Sequence, residues 1–155
     1  MLVYVDTSVF GGAFDPEFER GSQAFFERIR DGRLRGAVSA LVSDELVGAP
    51  AHVSRLFAEL EPLFLRLDIR QPAYALRRAY LDAHVVGPRW AADALHVASA
   101  TVGGCRAIVS WNFKHIVNFQ RIPLYNAVNQ IQGYSPIAIH TPLEMAFDED
   151  DEEEL

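Results

Sequence analysis

The sequence predicts an α/β fold in which a mainly parallel sheet of four or five strands is covered by helices on both faces. Short apolar runs of strand length alternate with longer segments of helical periodicity, which is typical of such sheets. The chain has 155 residues, and 50% of them are hydrophobic. A chain of this length and composition can form one domain with a sizeable core.

The first half of the chain contains three predicted strands. The apolar run at residues 2–5 predicts a strand that ends at Asp6, and Thr7 or Ser8 could cap the helix that follows. Apolar residues at helical spacing predict a helix from about residue 17 to residue 30, which ends at a turn containing Gly32. The next predicted elements are a strand at 34–39, a helix that begins at Ser39 or Ser43 and ends at Gly48, a helix at 52–60 and a strand at 63–67.

The second half continues the alternation of helices and strands. Its predicted elements are a helix at 71–83, an Ala-rich helix at 90–101 that two glycines end, a strand at 107–110, a further helix and a last strand at 137–139. The predicted order is therefore β-α-β-α-α-β-α-α-β-α-β. These elements make up a single domain at residues 1–147.

The acidic character of the chain lies in its tail, residues 148–155. Seven of the 21 acidic residues lie in these last eight positions, and the remaining 14 balance the 14 basic residues. The charges of the tail repel one another, so we expect it to be disordered. The alternative is that the tail competes with a ligand for basic surface of the domain and damps activity.

Several classes of protein are excluded by the composition. No apolar run approaches the roughly 20 residues that span a bilayer, and the apolar start of the chain is too short for a signal peptide and has no basic residue before Asp6. Cys105 is the single cysteine, so an internal disulfide and a thiolate zinc site are excluded. We therefore expect a cytoplasmic protein that does not interact with membranes.

Four polar residues are predicted to meet at the edge where the strands end. Asp6 and Asn112 follow strands, Glu45 lies within the first two turns of a helix that follows a strand, and Asp93 lies in the first turn of the Ala-rich helix. In an open parallel sheet, the ligand site lies beyond the carboxyl ends of the strands, where helix N-termini also gather. We therefore expect the four side chains to lie in one crevice.

Three carboxylates and a carboxamide in one crevice are typical of a site for a hard divalent cation. Neighbouring carboxylates raise one another's pKa, at about 1.4 kcal/mol per pKa unit, unless a cation lies among them. Mg²⁺ and Mn²⁺ prefer oxygen ligands and can activate water for attack on a phosphodiester. Taken singly, each residue has a structural alternative: a helix cap for Asp6, a solvated position for Glu45 and a dipole interaction for Asp93.

Four sequence segments resemble those of the PIN domain, and most closely its prokaryotic VapC-like toxin branch. The segments are Val3–Ser8, Ser43–Leu46, Ala92–Ala98 and Ile108–Phe113. The resemblance implies an α/β/α sandwich and an Mg²⁺- or Mn²⁺-dependent endoribonuclease whose metal is held by Asp6, Glu45 and Asp93. The family's fourth acid is usually Asp, whereas this chain has Asn112, which lacks the negative charge and puts a second metal in doubt.

Residues near these four could assist them or have structural roles. Thr7 and Ser8 could bind a carboxylate or a phosphate, with helix capping as the alternative. His96 lies one helical turn beyond Asp93 and either faces the site or is a core histidine. Lys114, and His115 beside it, could contact RNA phosphate or lie in a solvated loop.

Two further residues and two further functions stay open. Arg89 could pair with Asp93 or with substrate, and Trp111 could stack on a base or be a core or rim aromatic.

The resemblance implies RNA as the substrate and a small protein antitoxin as the partner, and homodimers are common in the family. The alternatives are an interaction module without catalysis and an enzyme that transfers phosphoryl groups through Asp6, although Ser8 stands where such phosphatases have a second Asp.

Overall fold

The structure, a computed structural model, describes residues 1–147, so the predicted disorder of the tail concerns residues outside the described part. Its central sheet contains β1 (Leu2–Val5), β2 (Arg35–Ser39), β3 (Leu65–Leu67), β4 (Ala107–Val109) and β5 (Ala138–His140). The strands are all parallel and lie in the order β3-β2-β1-β4-β5. The chain thus changes direction across the sheet between β1 and β4, which is where a ligand site is expected.

Helices cover the two faces of the sheet. They are α1 (Thr7–Gly12), α2 (Glu19–Arg30), α3 (Ala40–Leu46), α4 (Ala51–Leu60), α5 (Gln71–Asp82), α6 (Ala91–Val102) and α7 (Arg121–Ile131), with 3₁₀ turns at Glu61–Leu63 and Pro88–Trp90. Helix α1 contacts α2, α3 and α4, whereas α5 contacts α6 and α7. Crossovers between parallel strands are almost always right-handed, and this rule puts the two groups on opposite faces of the sheet. The predicted α/β fold with a parallel sheet of five strands is confirmed.

Aromatic side chains fill the space between the sheet and each helical layer. Phe10 of α1 packs against Phe26 and Phe57, with ring centroids 5.2 Å apart in both pairs. On the other face, the rings of Tyr80 and Tyr125 meet edge to face at 4.9 Å. All five side chains are buried, so both faces of the sheet contribute to the core.

The predicted alternation of strands and helices is confirmed, except that two helices, α1 and α2, lie between β1 and β2 where the sequence predicted one. Helix α1 has only six residues and ends in two glycines, so it shows little helical periodicity in the sequence. The predicted capping of the first helix by Thr7 or Ser8 is wrong. Thr7 and Ser8 do not cap α1, because its N-cap is Asp6 and both hydroxyls lie inside the first turn, where they bind carboxylates. Among residues 1–147, no helix combines the length and apolar character needed to cross a membrane.

Candidate active site

Asp6 lies at the centre of the crevice, directly after the central strand β1. Its side chain is almost fully buried, and its Oδ2 atom accepts hydrogen bonds of 2.7 Å from the hydroxyls of Ser8 and Ser110. Val5 pairs with Val109 in the parallel register, so the residues that follow them lie side by side. Two fixed hydroxyls therefore hold one oxygen of this carboxylate in a single orientation.

Ser110 is a site residue that the sequence analysis does not identify. Besides donating to Asp6, its hydroxyl oxygen accepts a hydrogen bond of 2.9 Å from the backbone N–H of Asn112. The Ser8 hydroxyl oxygen accepts one of the same length from the backbone N–H of Trp111. The segment after β4 is thereby tied to α1. The sequence signal that could have identified Ser110 is its place as the polar residue directly after an apolar strand. In the structure, that strand is β4, the neighbour of β1.

His96 lies between two of the carboxylates. The imidazole is 1% exposed, its Nε2 atom is 3.4 Å from Oδ1 of Asp6, and it also hydrogen-bonds Oε1 of Glu45. Its Nδ1 atom is 2.8 Å from the hydroxyl of Tyr4, which also hydrogen-bonds Ser39 Oγ at 2.7 Å. Burial lowers the pKa of His96, but the carboxylates of Asp6 and Glu45 outweigh it and hold that pKa above its usual value. His96 was interpreted either as a core histidine or as a residue that faces the site, and in the structure it is both.

Glu45 is held at the outer side of the crevice. It lies near the end of the short helix α3, and its Oε1 atom accepts a hydrogen bond of 2.9 Å from Thr7 Oγ1 as well as the bond from His96. Its side chain is 36% exposed, compared with 6% for that of Asp6. Glu45 is thus the more accessible of these two carboxylates.

Asp93 lies in the first turn of α6 and forms the third acidic position. Burial raises its pKa, a hydrogen bond from the Asn112 side chain opposes this shift, and the negative charge of Asp6 raises the pKa further. Its Oδ2 atom is 3.2 Å from Nδ1 of His115, whose ring stacks on Trp90 at a centroid distance of 4.1 Å. Asp93 is close enough to Asp6 for the two charges to interact, as the predicted crevice requires.

Asn112 links Asp93 to the segment after β4. Its side-chain amide hydrogen-bonds Asp93, and its Oδ1 atom accepts a hydrogen bond of 3.0 Å from the backbone N–H of His115. The structure does not place His115 in a solvated loop, because its ring is buried between the Asp93 carboxylate and the stacked Trp90. Lys114, in contrast, is exposed.

Arg89 does not form the ion pair considered for it. Its guanidinium lies over the ring of Trp90, 5.2 Å from the ring centroid, and Asp93 pairs with His115 instead. Cys105 is buried, and burial raises the pKa of its thiol to about 12, in keeping with a structural role.

The donor types in the crevice fit a hard divalent cation. Asp6, Glu45 and Asp93 supply carboxylate oxygens, which Mg²⁺ and Mn²⁺ prefer as ligands. Burial raises the pKa of Asp93, and the negative charge of Asp6 contributes to the same shift. In this structure, however, each carboxylate is bound by hydroxyl, imidazole or amide groups of the protein. Within residues 1–147, no three His, Cys, Asp or Glu side chains are arranged as a group that could hold a metal ion. The fit therefore concerns the chemistry of the donors and not their present arrangement.

Solved structures of several protein complexes contain a chain with this fold. FitAcB from Neisseria gonorrhoeae matches with a TM-score of 0.57 and 19% identity, over 90% of this chain and 97% of the matched chain. VapBC2 from Rickettsia felis, bound to a DNA fragment from its promoter, matches with a TM-score of 0.58 and 17% identity, over 91% and 98% of the two chains. DNA-bound VapBC from Salmonella typhimurium gives a TM-score of 0.57 and 21% identity, over 92% and 99%.

The chain has a PIN-type fold. The likeness extends over nearly the whole length of each matched chain, and the parallel five-stranded sheet agrees with the fold that the sequence motifs predicted. No protein-family model and no curated protein matches the sequence. The shared property at these identities is the fold, so activity and partners are argued from the site.

Proposed function

We propose that this protein is a metal-dependent endoribonuclease and the toxin of a type II toxin–antitoxin pair. The observation that carries the proposal is the convergence of Asp6, Glu45, Asp93 and Asn112 at the carboxyl edge of a PIN-type sheet. Mg²⁺ or Mn²⁺, held by the three carboxylates with assistance from Asn112, would polarise the phosphodiester and lower the pKa of a water molecule.

The chain's own residues orient these groups. The hydroxyls of Ser8 and Ser110 fix the Asp6 carboxylate, while Thr7 and His96 hold Glu45. His115 and Asn112 do the same for Asp93. Orientation of this kind reduces the reorganisation that accompanies the reaction. Lys114 is exposed next to this group and is suited to contact a phosphate of the RNA.

An RNA cleavage assay with Mg²⁺, Mn²⁺ or EDTA tests the proposed activity. We expect cleavage that requires the metal and that is abolished in Asp6→Asn and in Asp93→Asn, while the circular dichroism spectrum stays that of the folded protein. Asp31→Asn, at an exposed turn after α2, is the matched control and should cleave normally. Metal-dependent cleavage that persists in the Asp6 and Asp93 variants would contradict the assignment.

An interaction module without catalysis is the second candidate function. It is favoured by Asn112 in place of an acid and by the protein donors that already bind each carboxylate. Failure of the folded protein to cleave any RNA tested or to bind Mn²⁺ would favour this candidate. A phosphoryl acceptor role for Asp6 is disfavoured, because the side chain is buried and two hydroxyls occupy Oδ2.

The proposed protein partner is a small antitoxin that blocks the acidic crevice. The fold is shared with chains of VapBC and FitAB complexes, in agreement with the VapC-like motifs. Arg side chains of a partner could form charge-assisted hydrogen bonds with the carboxylates. We expect expression of the chain alone in bacteria to arrest growth and expression of Asp93→Asn to be tolerated. Equal growth of both strains, at equal protein levels, would argue against a toxin.

A further inference from the structure

Three aromatic rings pack together on the segment that follows β4. The rings of Phe18 and Trp111 are stacked, with centroids 4.5 Å apart and an angle of 20° between their planes. Phe113 completes this three-ring cluster at 6.1 Å from Phe18 and 6.3 Å from Trp111. The cluster adjoins the candidate site, because Asn112 lies between Trp111 and Phe113 in the chain and binds Asp93.

Trp111 is the fixed base of the three-ring cluster. Its indole N–H donates a hydrogen bond of 2.9 Å to Ser22 Oγ, and its ring edges lie against the backbone at Gly12 and Gly21. A Cβ atom at Gly12 would be 2.5 Å from the indole nitrogen, so the contact requires glycine. With Phe18 stacked on it as well, Trp111 has a rim role and does not offer a free face to a nucleotide.

Phe113 is the member of the cluster that faces outward. It is 47% exposed, although its ring packs against two other aromatic rings that restrict its position. The residue before Phe113 in the chain is Asn112, which hydrogen-bonds Asp93. The residue after it is Lys114, which is exposed and is the single lysine of the protein. An aromatic ring that two other rings hold in place thus lies, along the chain, between a residue bound to Asp93 and an exposed cation.

We propose that Phe113 stacks on a nucleobase of single-stranded RNA next to the phosphate that lies at the crevice, while Lys114 contacts a neighbouring phosphate. This inference rests on the proposed function. An exposed aromatic ring with a cation beside it matches the alternation of base and phosphate along a single strand, and aromatic stacking accepts every base. In a duplex the bases are stacked on one another, so Phe113 favours unpaired RNA over paired RNA.

RNA binding in EDTA tests this inference without requiring cleavage. The probe is a short fluorescein-labelled single-stranded RNA, followed by fluorescence anisotropy. We expect Phe113→Leu to weaken binding by about 5- to 140-fold, the range for loss of one base–aromatic stack, and Phe113→Trp to retain it. Phe119→Leu makes the same change at a phenylalanine that is 93% exposed in the same segment, and should leave affinity unchanged.

The outcomes separate this inference from the proposed activity. Binding that depends on Phe113, without cleavage in any metal, would support the stacking role and contradict the nuclease. Cleavage by the wild-type protein with the same Kd and KM in Phe113→Leu would overturn the stacking role alone. Equal weakening by Phe119→Leu, or no RNA binding by the wild-type protein, would also overturn it. Loss of a dimer in Phe113→Leu at unchanged RNA affinity would assign the ring to a contact between two copies instead.

Discussion

The hydroxyl of Tyr4 connects the interior of the sheet to the candidate site, and its removal gives a measurable prediction. Tyr4 is fully buried in β1, and its hydroxyl hydrogen-bonds both Ser39 and His96. In this chain of hydrogen bonds, the Tyr4 hydroxyl joins His96 Nδ1 to Ser39 Oγ. Tyr4→Phe deletes the central member of this chain and leaves the aromatic ring in place.

The expected cost follows from the partners that remain. Ser39 and His96 are 0% and 1% exposed, so water cannot replace the missing hydroxyl in the folded state. An unsatisfied buried polar group costs about 1–3 kcal/mol, and more where the group is charged. Tyr4→Phe leaves two such groups but spares the burial of the hydroxyl itself. We therefore expect the free energy of unfolding to fall by about 2–4 kcal/mol.

Urea denaturation in EDTA measures this difference, and the chain contains a matched control. Tyr125 is also fully buried, but its hydroxyl donates a single hydrogen bond of 2.7 Å, to the backbone oxygen of His115. Tyr125→Phe should cost about 1–2 kcal/mol, because one carbonyl is left without that donor. If Tyr4→Phe costs no more than Tyr125→Phe, the argument that Tyr4 holds His96 in place is refuted.

Two further predictions concern packing and pH. Gly12→Ala should destabilise the protein by about 1–3 kcal/mol in thermal unfolding, because the new Cβ atom collides with Trp111. Gly48→Ala is the control and should be nearly neutral, because a Cβ atom at Gly48 meets open space. Equal effects of the two substitutions would contradict the packing argument. The pKa of both His96 and Asp93 is raised in the folded state, so each binds its proton more tightly there than in the unfolded state. Their contributions to the stability of the metal-free protein should therefore fall as pH rises, from about pH 4 upward for Asp93 and from about pH 6.5 upward for His96. The contribution of His96 to the free energy of unfolding is fully present below its ordinary pKa of 6.5 and is lost as pH rises through the folded-state pKa. In EDTA, the free energy of unfolding of His96→Gln should therefore depend less on pH than that of the wild-type protein. An unchanged pH profile would contradict this assignment.

The fold was predictable because local signals and the burial pattern agree. Residues 2–5 are apolar, stop at Asp6 and form β1, and the predicted break at Gly103 and Gly104 matches the end of α6 at Val102. Gly104 has φ +77°, a conformation that favours glycine, which explains why this stop signal was reliable. Helix caps were less predictable, because the hydroxyls of Thr7 and Ser8 can bind either backbone N–H groups or carboxylates that are distant in sequence.

The site was predictable in position but not in its pairings. The carboxyl-edge rule correctly places Asp6, Glu45 and Asp93 in one region, because it depends on strand direction and not on side-chain detail. Which groups bind the carboxylates depends on contacts across the sheet, such as those of His96 with Glu45 and of His115 with Asp93. Sequence spacing contains no information on these distances.

The pairing of β1 with β4 determines when the crevice can exist during synthesis of the chain. Asp6 is made before its hydroxyl partner Ser110 and the amide of Asn112, which follow more than 100 positions later in the chain. At about 5–20 residues per second, translation from Asp6 to Asn112 takes about 5–20 s. Throughout that interval the growing chain has no complete crevice, so any activity that requires all four residues is withheld until most of the domain has been translated.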